Sequence, residues 1–427
     1  MKHIFYNIGF TLSLVVGCHA TLQENKVQPE FTSAPPPAPV ATPIIKNDSS
    51  AYTNTVKDFF EKKLLNGRFN GGVLVAKGNE IIYEKYQGYE DLRTKKAVID
   101  EATPMHVASV SKNFAAAAIL KLSEENKLQI TEPLTNFFPG FPYTDVNVEM
   151  LLSHRSGLPD YMHFLEKYWT DKNSYANNQD VLNAMINYQP KIEFKAGTRF
   201  EYSNTNFVLL ALVIEKVTGL SYPEYMKKTF FEPLQMEDTY VASVADMPSV
   251  TPSFAANGRY WQTNFMDATY GDKNIYTTPR DLLKWSLAVS QGKVIRQSLV
   301  DSAFTPYSNE KKTVHNYGFG WRLLMLPNDK KVIYHNGKWH GTNASLAMLP
   351  EDNVTIIVIG NRYNSNIYNV SRASYNLFGD YIKIEPQRHY VAKKHYKRSS
   401  KRSVAKKKTT HKTYTSSAGR PVTKTAR

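Results

Sequence analysis

A serine and a lysine three residues apart, Ser109 and Lys112, are the best candidates in this sequence for nucleophilic chemistry. They open an apolar run over residues 114–122 whose spacing predicts a helix. Residues at i and i+3 of a helix share one face, so the amine can reach the hydroxyl. A serine hydroxyl is a weak nucleophile until a neighbouring base takes its proton. We therefore predict that Ser109 is a nucleophile and Lys112 its partner.

The Ser-x-x-Lys spacing is weak on its own, because it recurs at Ser290, Ser308 and Ser403. None of these three serines opens a long apolar helix. Ser111 is a rival hydroxyl close to Ser109, but it directly precedes Lys112 in the chain and is expected to face elsewhere.

Tyr202 and Asn204 form a second candidate pair, placed between a turn at Gly197 and a helical pattern over 207–217. The positive charge of a nearby lysine favours a phenolate, so Tyr202 is predicted to accept a proton. Asn204 carries both a donor and an acceptor and is predicted to hold a substrate amide. A buried loop anchored by tyrosine and asparagine is the alternative.

His335 and Gly337 form the third candidate pair, at the end of a strand predicted to begin near Lys331. A glycine there allows close backbone approach, so that N–H groups can contact a bound carbonyl. Taken alone, such a triplet is more often a strand end than a site.

In this order, the three motifs resemble those of the serine β-lactamase and penicillin-binding-protein superfamily. The resemblance is strongest to its class C-type branch, which includes D-alanyl-D-alanine carboxypeptidases, D-amino-acid peptidases and esterases. It covers about residues 55–380 and extends to the flanking segments 151–161 and 271–281.

This resemblance implies a hydrolase whose Ser109 is acylated while Lys112 and Tyr202 move protons as a coupled pair. The backbone N–H groups of Ser109 and Lys338 would hold the oxyanion. No metal or organic cofactor is implied, and the substrate would be a small peptide, amide or ester. A cell-wall D-alanyl peptide is the leading substrate. The alternatives are an esterase, a β-lactamase and a catalytically silent wall-binding lipoprotein.

Two departures from the family pattern affect the expected substrate. His335 stands where β-lactamases and peptidases usually carry lysine, and a neutral imidazole is a weaker partner for a carboxylate than an ammonium. Lys338 and Trp339 follow the triplet where small residues are common, and both are expected to reshape the substrate entrance.

The elements that must position these residues follow from the apolar periodicity. The predicted fold is α/β (α+β): an antiparallel sheet built from both ends of the domain, flanked by terminal helices, with a mainly helical domain inserted. The predicted strands cover residues 72–76, 81–86, 317–324, 331–335, 344–349 and 355–359, and the predicted helices cover 55–65, 114–122, 207–217, 281–289 and 367–378.

The net charge of +15 comes from one end of the chain. Fourteen basic and no acidic residues lie between Arg388 and Arg427, which leaves 39 basic against 38 acidic residues elsewhere. We predict a hydrolase domain over 51–385 and a disordered basic tail over 386–427. An anionic wall polymer or lipid surface is the partner expected for this tail; a solvated tail without a partner is the alternative, and a nucleic-acid partner is not expected.

The first 20 residues have the pattern of an export signal, with Lys2 before an apolar run over 4–16. Cys18, the only cysteine, ends a string that resembles a bacterial lipobox, so we expect a lipid-anchored protein of the bacterial cell envelope. Cleavage after Ala20 as an ordinary secretory signal is the alternative. Residues 21–50 carry several prolines and are predicted to be an extended spacer, the alternative being a ligand for a proline-recognition module.

The lipid anchor is tested by the Cys18→Ser variant expressed in a bacterium. We expect this variant to leave the membrane fraction, because only the cysteine thiol can carry the lipid. Membrane fractionation measures the effect, with Ser13→Ala in the same apolar run as the control. A Cys18→Ser protein that remains membrane-bound would contradict the prediction.

Overall fold

The computed structural model of the protein describes residues 44–45 and 51–381, which belong to one compact unit. The predicted export signal with Cys18, most of the spacer and the basic tail lie outside the described residues, so those predictions stay untested.

The strands form one large and one small sheet. They are β1 (Ile44–Ile45), β2 (Gly71–Lys77), β3 (Glu80–Gln87), β4 (Met105–His106), β5 (Tyr240–Val241), β6 (Ile275–Thr277), β7 (His315–Tyr317), β8 (Arg322–Met325), β9 (Lys331–Trp339), β10 (Thr342–Leu349) and β11 (Val354–Gly360). The large sheet has the order β1-β3-β2-β11-β10-β9-β8-β7, and the small one has the order β4-β6-β5. Strand pairing is antiparallel apart from β1, which runs parallel to β3.

The α-helices surround the large sheet and fill the region between its two halves. They are α1 (Ala51–Phe60), α2 (Ser111–Glu124), α3 (Val148–Leu152), α4 (Tyr161–Tyr168), α5 (Asn178–Tyr188), α6 (Thr205–Thr218), α7 (Tyr222–Met226), α8 (Pro279–Ser290), α9 (Gln297–Ala303) and α10 (Asn366–Ser374). π-helical turns extend α1 over Glu61–Leu65 and α7 over Lys227–Phe231. Short 3-10 turns cover Ala108–Val110, Leu134–Asn136, Val244–Asp246, Pro350–Asp352 and Tyr375–Leu377.

Helices cover both faces of the large sheet. The face of β2 at Gly72 meets Pro279 of α8, whereas the face of β11 at Gly360 meets Ile367 of α10. Gly72 pairs with Ile359, so these two residues face the same side of the sheet. Because successive residues of a strand point to opposite faces, Gly360 faces the other side, and α8 and α10 therefore lie on opposite sides of the sheet. All residues of β10 and β11 are accordingly buried; β11 is apolar apart from Thr355, and β10 is apolar from Leu346 to Leu349.

The fold predicted from the sequence is confirmed: a large antiparallel sheet is flanked by terminal helices, and helices dominate between its two halves. The predicted strand over 317–324 is wrong. Residues 318–321 instead form a tight turn between β7 and β8, closed by a hydrogen bond of 2.8 Å from the N–H of Gly318 to the carbonyl of Trp321. Gly320 has a φ of +83°, a conformation that glycine adopts without strain. The strand carrying His335 is also longer than predicted, since β9 continues to Trp339.

Helix α2 is buried on nearly all sides, and this burial fixes the position of Lys112. Four consecutive alanines, residues 115–118, leave room for close packing, and α2 contacts α6. Phe114 stacks on Trp285 of α8 with ring centroids 4.0 Å apart. Helix α2 is therefore a rigid support rather than a surface helix with one apolar stripe.

No single helix among the described residues combines the length and the hydropathy of a membrane span. Within this part of the chain, one pair of helices, Thr205–Thr218 and Tyr222–Phe231, has that length and hydropathy when the two are joined, but the pair is bent by 77°.

The contact between the β7–β8 turn and α2 is tested by Gly320→Ala. A Cβ at this position would lie 2.4 Å from the Cβ of Ala116 and 3.0 Å from the carbonyl oxygen of Lys112. We expect the free energy of unfolding to fall by the strain of a positive φ plus about 1–3 kcal/mol of overpacking. Gly140→Ala is the matched control, because Gly140 also has a positive φ, +82°, but a Cβ built there has no atom of a residue other than its chain neighbours within 4 Å. Equal losses in chemical denaturation of the two variants would contradict this account.

Candidate active site

Ser109 lies in the 3-10 turn Ala108–Val110 that leads into α2, and its side chain is half-exposed. The turn is tied to β6, because the N–H of Val107 donates to the carbonyl of Ile275 at 3.0 Å. Ser111 is wholly buried, and its hydroxyl accepts a hydrogen bond of 3.1 Å from the N–H of Ile275. The prediction that Ser111 faces away from the site is confirmed.

Lys112 is fully buried and has three hydrogen-bond acceptors around its amine. Its Nζ lies 3.1 Å from the Oγ of Ser109, 2.8 Å from the Oδ1 of Asn204 and 2.8 Å from the backbone carbonyl oxygen of Asp272. A buried amine is costly unless its N–H groups have hydrogen-bond partners. The three acceptors meet that requirement and hold the amine against the serine.

Asn204 is held in place by a carboxylate. The Oδ2 of Asp160 accepts a hydrogen bond of 2.7 Å from the Nδ2 of Asn204 and one of 3.1 Å from its backbone N–H. Asp160 also caps α4, since its Oδ1 accepts from the N–H of Met162. The amide oxygen of Asn204 is thereby directed at Lys112, while its predicted contact with a substrate amide stays a prediction.

The half-exposed Tyr202 lies beside Lys112, with the Nζ of Lys112 5.1 Å from its ring centroid. The structure thus brings together Ser109, Lys112, Tyr202 and Asn204, whose motifs are about 90 residues apart in the sequence.

The third motif lies inside β9, which corrects the prediction that it ends the strand. His335 is buried, with its Nδ1 2.9 Å from the carbonyl oxygen of Asn336 and its Nε2 3.4 Å from the hydroxyl of Tyr317. Gly337 packs directly on the nucleophile turn, because a Cβ there would lie 2.0 Å from the carbonyl oxygen of Val107.

The edge of β9 beside this motif is open. Pairing of β8 with β9 ends at Arg322 and Tyr334, so among the described residues no strand pairs with His335–Trp339 on that side. Backbone N–H and C=O groups on such an edge can pair with an extended ligand.

Lys338 and Trp339 lie on opposite faces of β9. The exposed Lys338 has its Nζ 5.3 Å from the ring centroid of Tyr363, whereas Gly337 and Trp339 share the face of the nucleophile turn. Strand alternation places the Lys338 ammonium on the face opposite to the nucleophile turn, and the prediction that both side chains reshape the substrate entrance stays a prediction. The predicted role of the Lys338 N–H in an oxyanion hole stays a prediction.

Burial keeps two histidines near Lys112 uncharged. Removal from water, followed by the positive charges of Arg322 and Lys112, holds the pKa of His335 well below its usual range. Removal from water also holds the pKa of His154 well below its usual range, with Lys112 as the next cause. The Nδ1 of His154 accepts from the N–H of Ser203, which anchors the loop after Tyr202. Both rings are neutral dipoles at neutral pH.

Sequence reasoning missed Arg322, Asp160, His154 and Asp272. The last three fall in the segments 151–161 and 271–281 that carry part of the family resemblance, but nothing in the sequence shows what they contact. The half-buried guanidinium of Arg322 lies 5.0 Å from the ring centroid of Tyr202. It was hidden because the β7–β8 turn was predicted to be continuous strand.

The other serines with the same spacing have different partners. The hydroxyl of Ser290 donates to the carbonyl of Leu287 at 3.1 Å, and that of Ser308 donates to the Oδ1 of Asn316 at 3.0 Å. Ser403 lies outside the described residues. Across residues 44–45 and 51–381, no group of three or more His, Cys, Asp or Glu side chains could hold a metal ion.

Comparison with known proteins identifies the family. The Beta-lactamase family model matches residues 56–378. Penicillin-binding protein 4* of Bacillus subtilis (strain 168) is 31% identical over 331 residues, which cover 73% of each chain. The chain therefore belongs to the β-lactamase family, whose members are generally serine hydrolases.

Solved structures support the same assignment. The crystal structure of a penicillin-binding protein from Bacillus halodurans matches with a TM-score of 0.65 and 25% identity, over 76% of this chain and 99% of that chain. D-amino acid amidase from Ochrobactrum anthropi SV3 matches with a TM-score of 0.62 and 21% identity, over 77% of this chain and 97% of that chain. The amidase likeness shows the fold alone.

The contact between Gly337 and the nucleophile turn is tested by Gly337→Ala. The added methyl group must push the backbone of Val107 away from β9 and displace Ser109 from the open edge. A displacement of about 1 Å can lower the rate of a catalytic step about 100-fold. We therefore expect the rate of covalent labelling of Ser109 by a fluorophosphonate to fall about 100-fold. Gly67→Ala is the control, because a Cβ there comes no closer than 3.6 Å to another residue. Unchanged labelling of Gly337→Ala would contradict this account.

Proposed function

We propose that the protein is a serine hydrolase that forms an acyl-enzyme on Ser109. The observation that carries this proposal is the hydrogen bond of 3.1 Å between Ser109 and the buried amine of Lys112. Ser109 is half-buried and lies in a turn packed on the face of β9 at Gly337, next to the open edge of this strand, so we expect a carbonyl lying along that edge to reach its hydroxyl.

In the proposed reaction, the Oγ of Ser109 attacks the substrate carbonyl and its proton passes to the neutral amine of Lys112. The resulting ammonium keeps Asn204 and Asp272 as acceptors. Backbone N–H groups of Ser109 and Lys338 hold the oxyanion. Lys112 and Tyr202 then return the proton to the leaving amine or alcohol, and water releases the acyl group by the reverse proton path.

The substrate we propose is a small peptide that ends in a free carboxylate, such as a D-alanyl peptide of the cell wall. Arg322 supports this choice, because its guanidinium lies over Tyr202, next to the proposed reacting atoms. A guanidinium can bind a carboxylate through two parallel hydrogen bonds. It would supply the positive charge that the neutral His335 lacks. Relatives named as penicillin-binding proteins agree with a peptide or amide substrate.

We also propose an exported protein of the bacterial cell envelope, held by lipid on Cys18, with the basic tail contacting an anionic wall polymer or lipid surface. The names of the penicillin-binding relatives support the envelope location. The anchor and the tail contact rest on the sequence.

The substrate is tested by Arg322→Gln with a matched set of D-alanyl peptides. One peptide has a free C-terminal carboxylate, the second is its C-terminal amide and the third is an uncharged short-chain ester. Charged hydrogen bonds contribute about 1.5–3 kcal/mol, so we expect kcat/KM for the free acid to fall about 10- to 150-fold, with little change for the ester. Arg199→Gln is the control, because Arg199 is exposed and its contacts are with the nearby Glu201 and Phe194.

The wild-type result separates the alternatives. Hydrolysis of the ester alone would favour an esterase, and turnover of a penicillin would favour a β-lactamase. Equal loss of all substrates in Arg322→Gln would contradict the proposed carboxylate contact.

A further inference from the structure

Two oppositely charged side chains lie buried directly behind the catalytic amine. Asp272 is fully buried and Lys273 is 2% exposed, with the Nζ of Lys273 3.6 Å from the Oδ2 of Asp272. The other carboxylate oxygen of Asp272 has no hydrogen-bond partner in the described part of the chain. The mechanism above uses the backbone carbonyl of Asp272 and neither of the two side chains.

Tyr161 joins this charged pair to the rest of the site. Its hydroxyl donates to the Oδ2 of Asp272 at 3.0 Å and accepts from the Nζ of Lys273 at 2.7 Å. Its backbone N–H donates to the hydroxyl of Thr205 at 2.7 Å. Tyr161 also directly follows Asp160, the carboxylate that holds Asn204. Tyr161 thus links two of the three acceptors around Lys112: it contacts Asp272 directly, and it follows the residue that holds Asn204.

Stability alone does not account for this arrangement. Replacing a buried ion pair with apolar side chains is often neutral or stabilising, because desolvation offsets the attraction between the charges. Here the attraction acts over 3.6 Å, and one carboxylate oxygen is left unpaired. The backbone carbonyl of this same Asp272 lies 2.8 Å from the Nζ of Lys112, which links the pair to the catalytic amine.

We propose that Asp272 and Lys273 are positioning residues for Lys112. Through Tyr161 they hold the Asp272 carbonyl against the catalytic amine. Because their charges are opposite, their electrostatic effects on the amine of Lys112 largely cancel. This inference rests on the proposed function of Lys112 as the proton acceptor of Ser109.

The charge balance at Lys112 involves every element packed around it. The ammonium of Lys273 disfavours a second ammonium at Lys112, whereas the carboxylate of Asp272 favours it. Burial raises the pKa of Asp272 and lowers the pKa of Lys273, each residue opposes the shift of the other, and the charge of Lys112 lowers both pKa values. The other titratable or charged groups facing Lys112 are Tyr202 before α6, Asp160 and Tyr161 at α4, His154 after α3, Arg322 on β8 and His335 on β9.

The sign of the expected effect follows from this balance. Removing the charge of Lys273 leaves the Asp272 carboxylate uncompensated, so Lys112 holds its proton more strongly. A proton acceptor that is harder to deprotonate works only at higher pH. The acidic limb of the kcat/KM profile should therefore move to higher pH in Lys273→Met.

The experiment measures pH profiles of kcat/KM for a D-alanyl peptide, together with rates of fluorophosphonate labelling. We expect the acidic limb of Lys273→Met to move up by about one pH unit, which at a fixed pH on that limb is about a 10-fold loss. Lys273→Arg, which keeps the charge, should retain the wild-type limb. The double variant Asp272→Asn with Lys273→Met, which removes both charges, should return the limb toward the wild-type position.

Lys284→Met is the matched control, because Lys284 also pairs with a buried aspartate, Asp281, at 2.8 Å. Thermal unfolding is measured for each variant. If Lys273→Met does not fold, Tyr161→Phe replaces it: loss of the joining hydroxyl should loosen the contact of the Asp272 carbonyl with Lys112 and lower kcat/KM, and an unchanged pH profile of this folded variant would overturn the positioning role.

Each outcome has one meaning. A folded Lys273→Met enzyme with an unchanged acidic limb would overturn the positioning role, even if it were less stable. A wild-type protein without labelling or turnover would instead overturn the proposed function itself.

Discussion

The buried amine of Lys112 is the interaction on which the rest of the site depends. A polar amine removed from water needs hydrogen-bond partners, and here these come from three distant parts of the chain: Ser109, Asn204 and the carbonyl of Asp272. Because two of these acceptors do not react, the amine keeps its position while its contact with the serine changes. Nucleophile and base therefore form one unit, fixed by the cost of burying an amine without hydrogen-bond partners.

The fold supplies the rigidity that this arrangement needs. Helix α2 is packed on nearly all sides, and two glycines allow backbone to approach it and its leading turn more closely than a side chain would permit. Gly320 brings the β7–β8 turn against α2, and Gly337 brings β9 against the turn that carries Ser109. The same two contacts place Arg322 and the open edge of β9 beside the serine. The contacts at Gly320 and Gly337 thus both pack the fold and position the residues of the proposed reaction.

The sequence was sufficient for the fold and for the residues of the three motifs. Long apolar runs predicted α2 and α6, and two β-rich segments on either side of a Gly-Asn turn predicted the β2–β3 hairpin, because these signals are local in the sequence. The ordered motifs predicted that Ser109, Lys112, Tyr202 and Asn204 meet. A polar stretch within β9 concealed the length of this strand, since His335, Asn336 and Gly337 resemble a strand end rather than its interior.

Residues that act through long-range contacts could not be predicted in the same way. Asp160 and Asp272 are ordinary acidic residues in the sequence, and only the fold shows that one holds Asn204 while the other contacts Lys112. Arg322 lies next to Tyr202 because a glycine turn reverses the chain between β7 and β8. Pairings of this kind depend on three-dimensional packing and leave no local pattern.

The central claim is that Ser109, held by Lys112, becomes acylated. Its most direct test is incubation of the full chain with a fluorescent penicillin and, separately, with a fluorophosphonate, followed by mass mapping of the modified peptide. The account predicts a covalent adduct on Ser109 with at least one probe, absent in Ser109→Ala and retained in Ser111→Ala. No adduct with either probe, or an adduct on another residue that persists in Ser109→Ala, would contradict it.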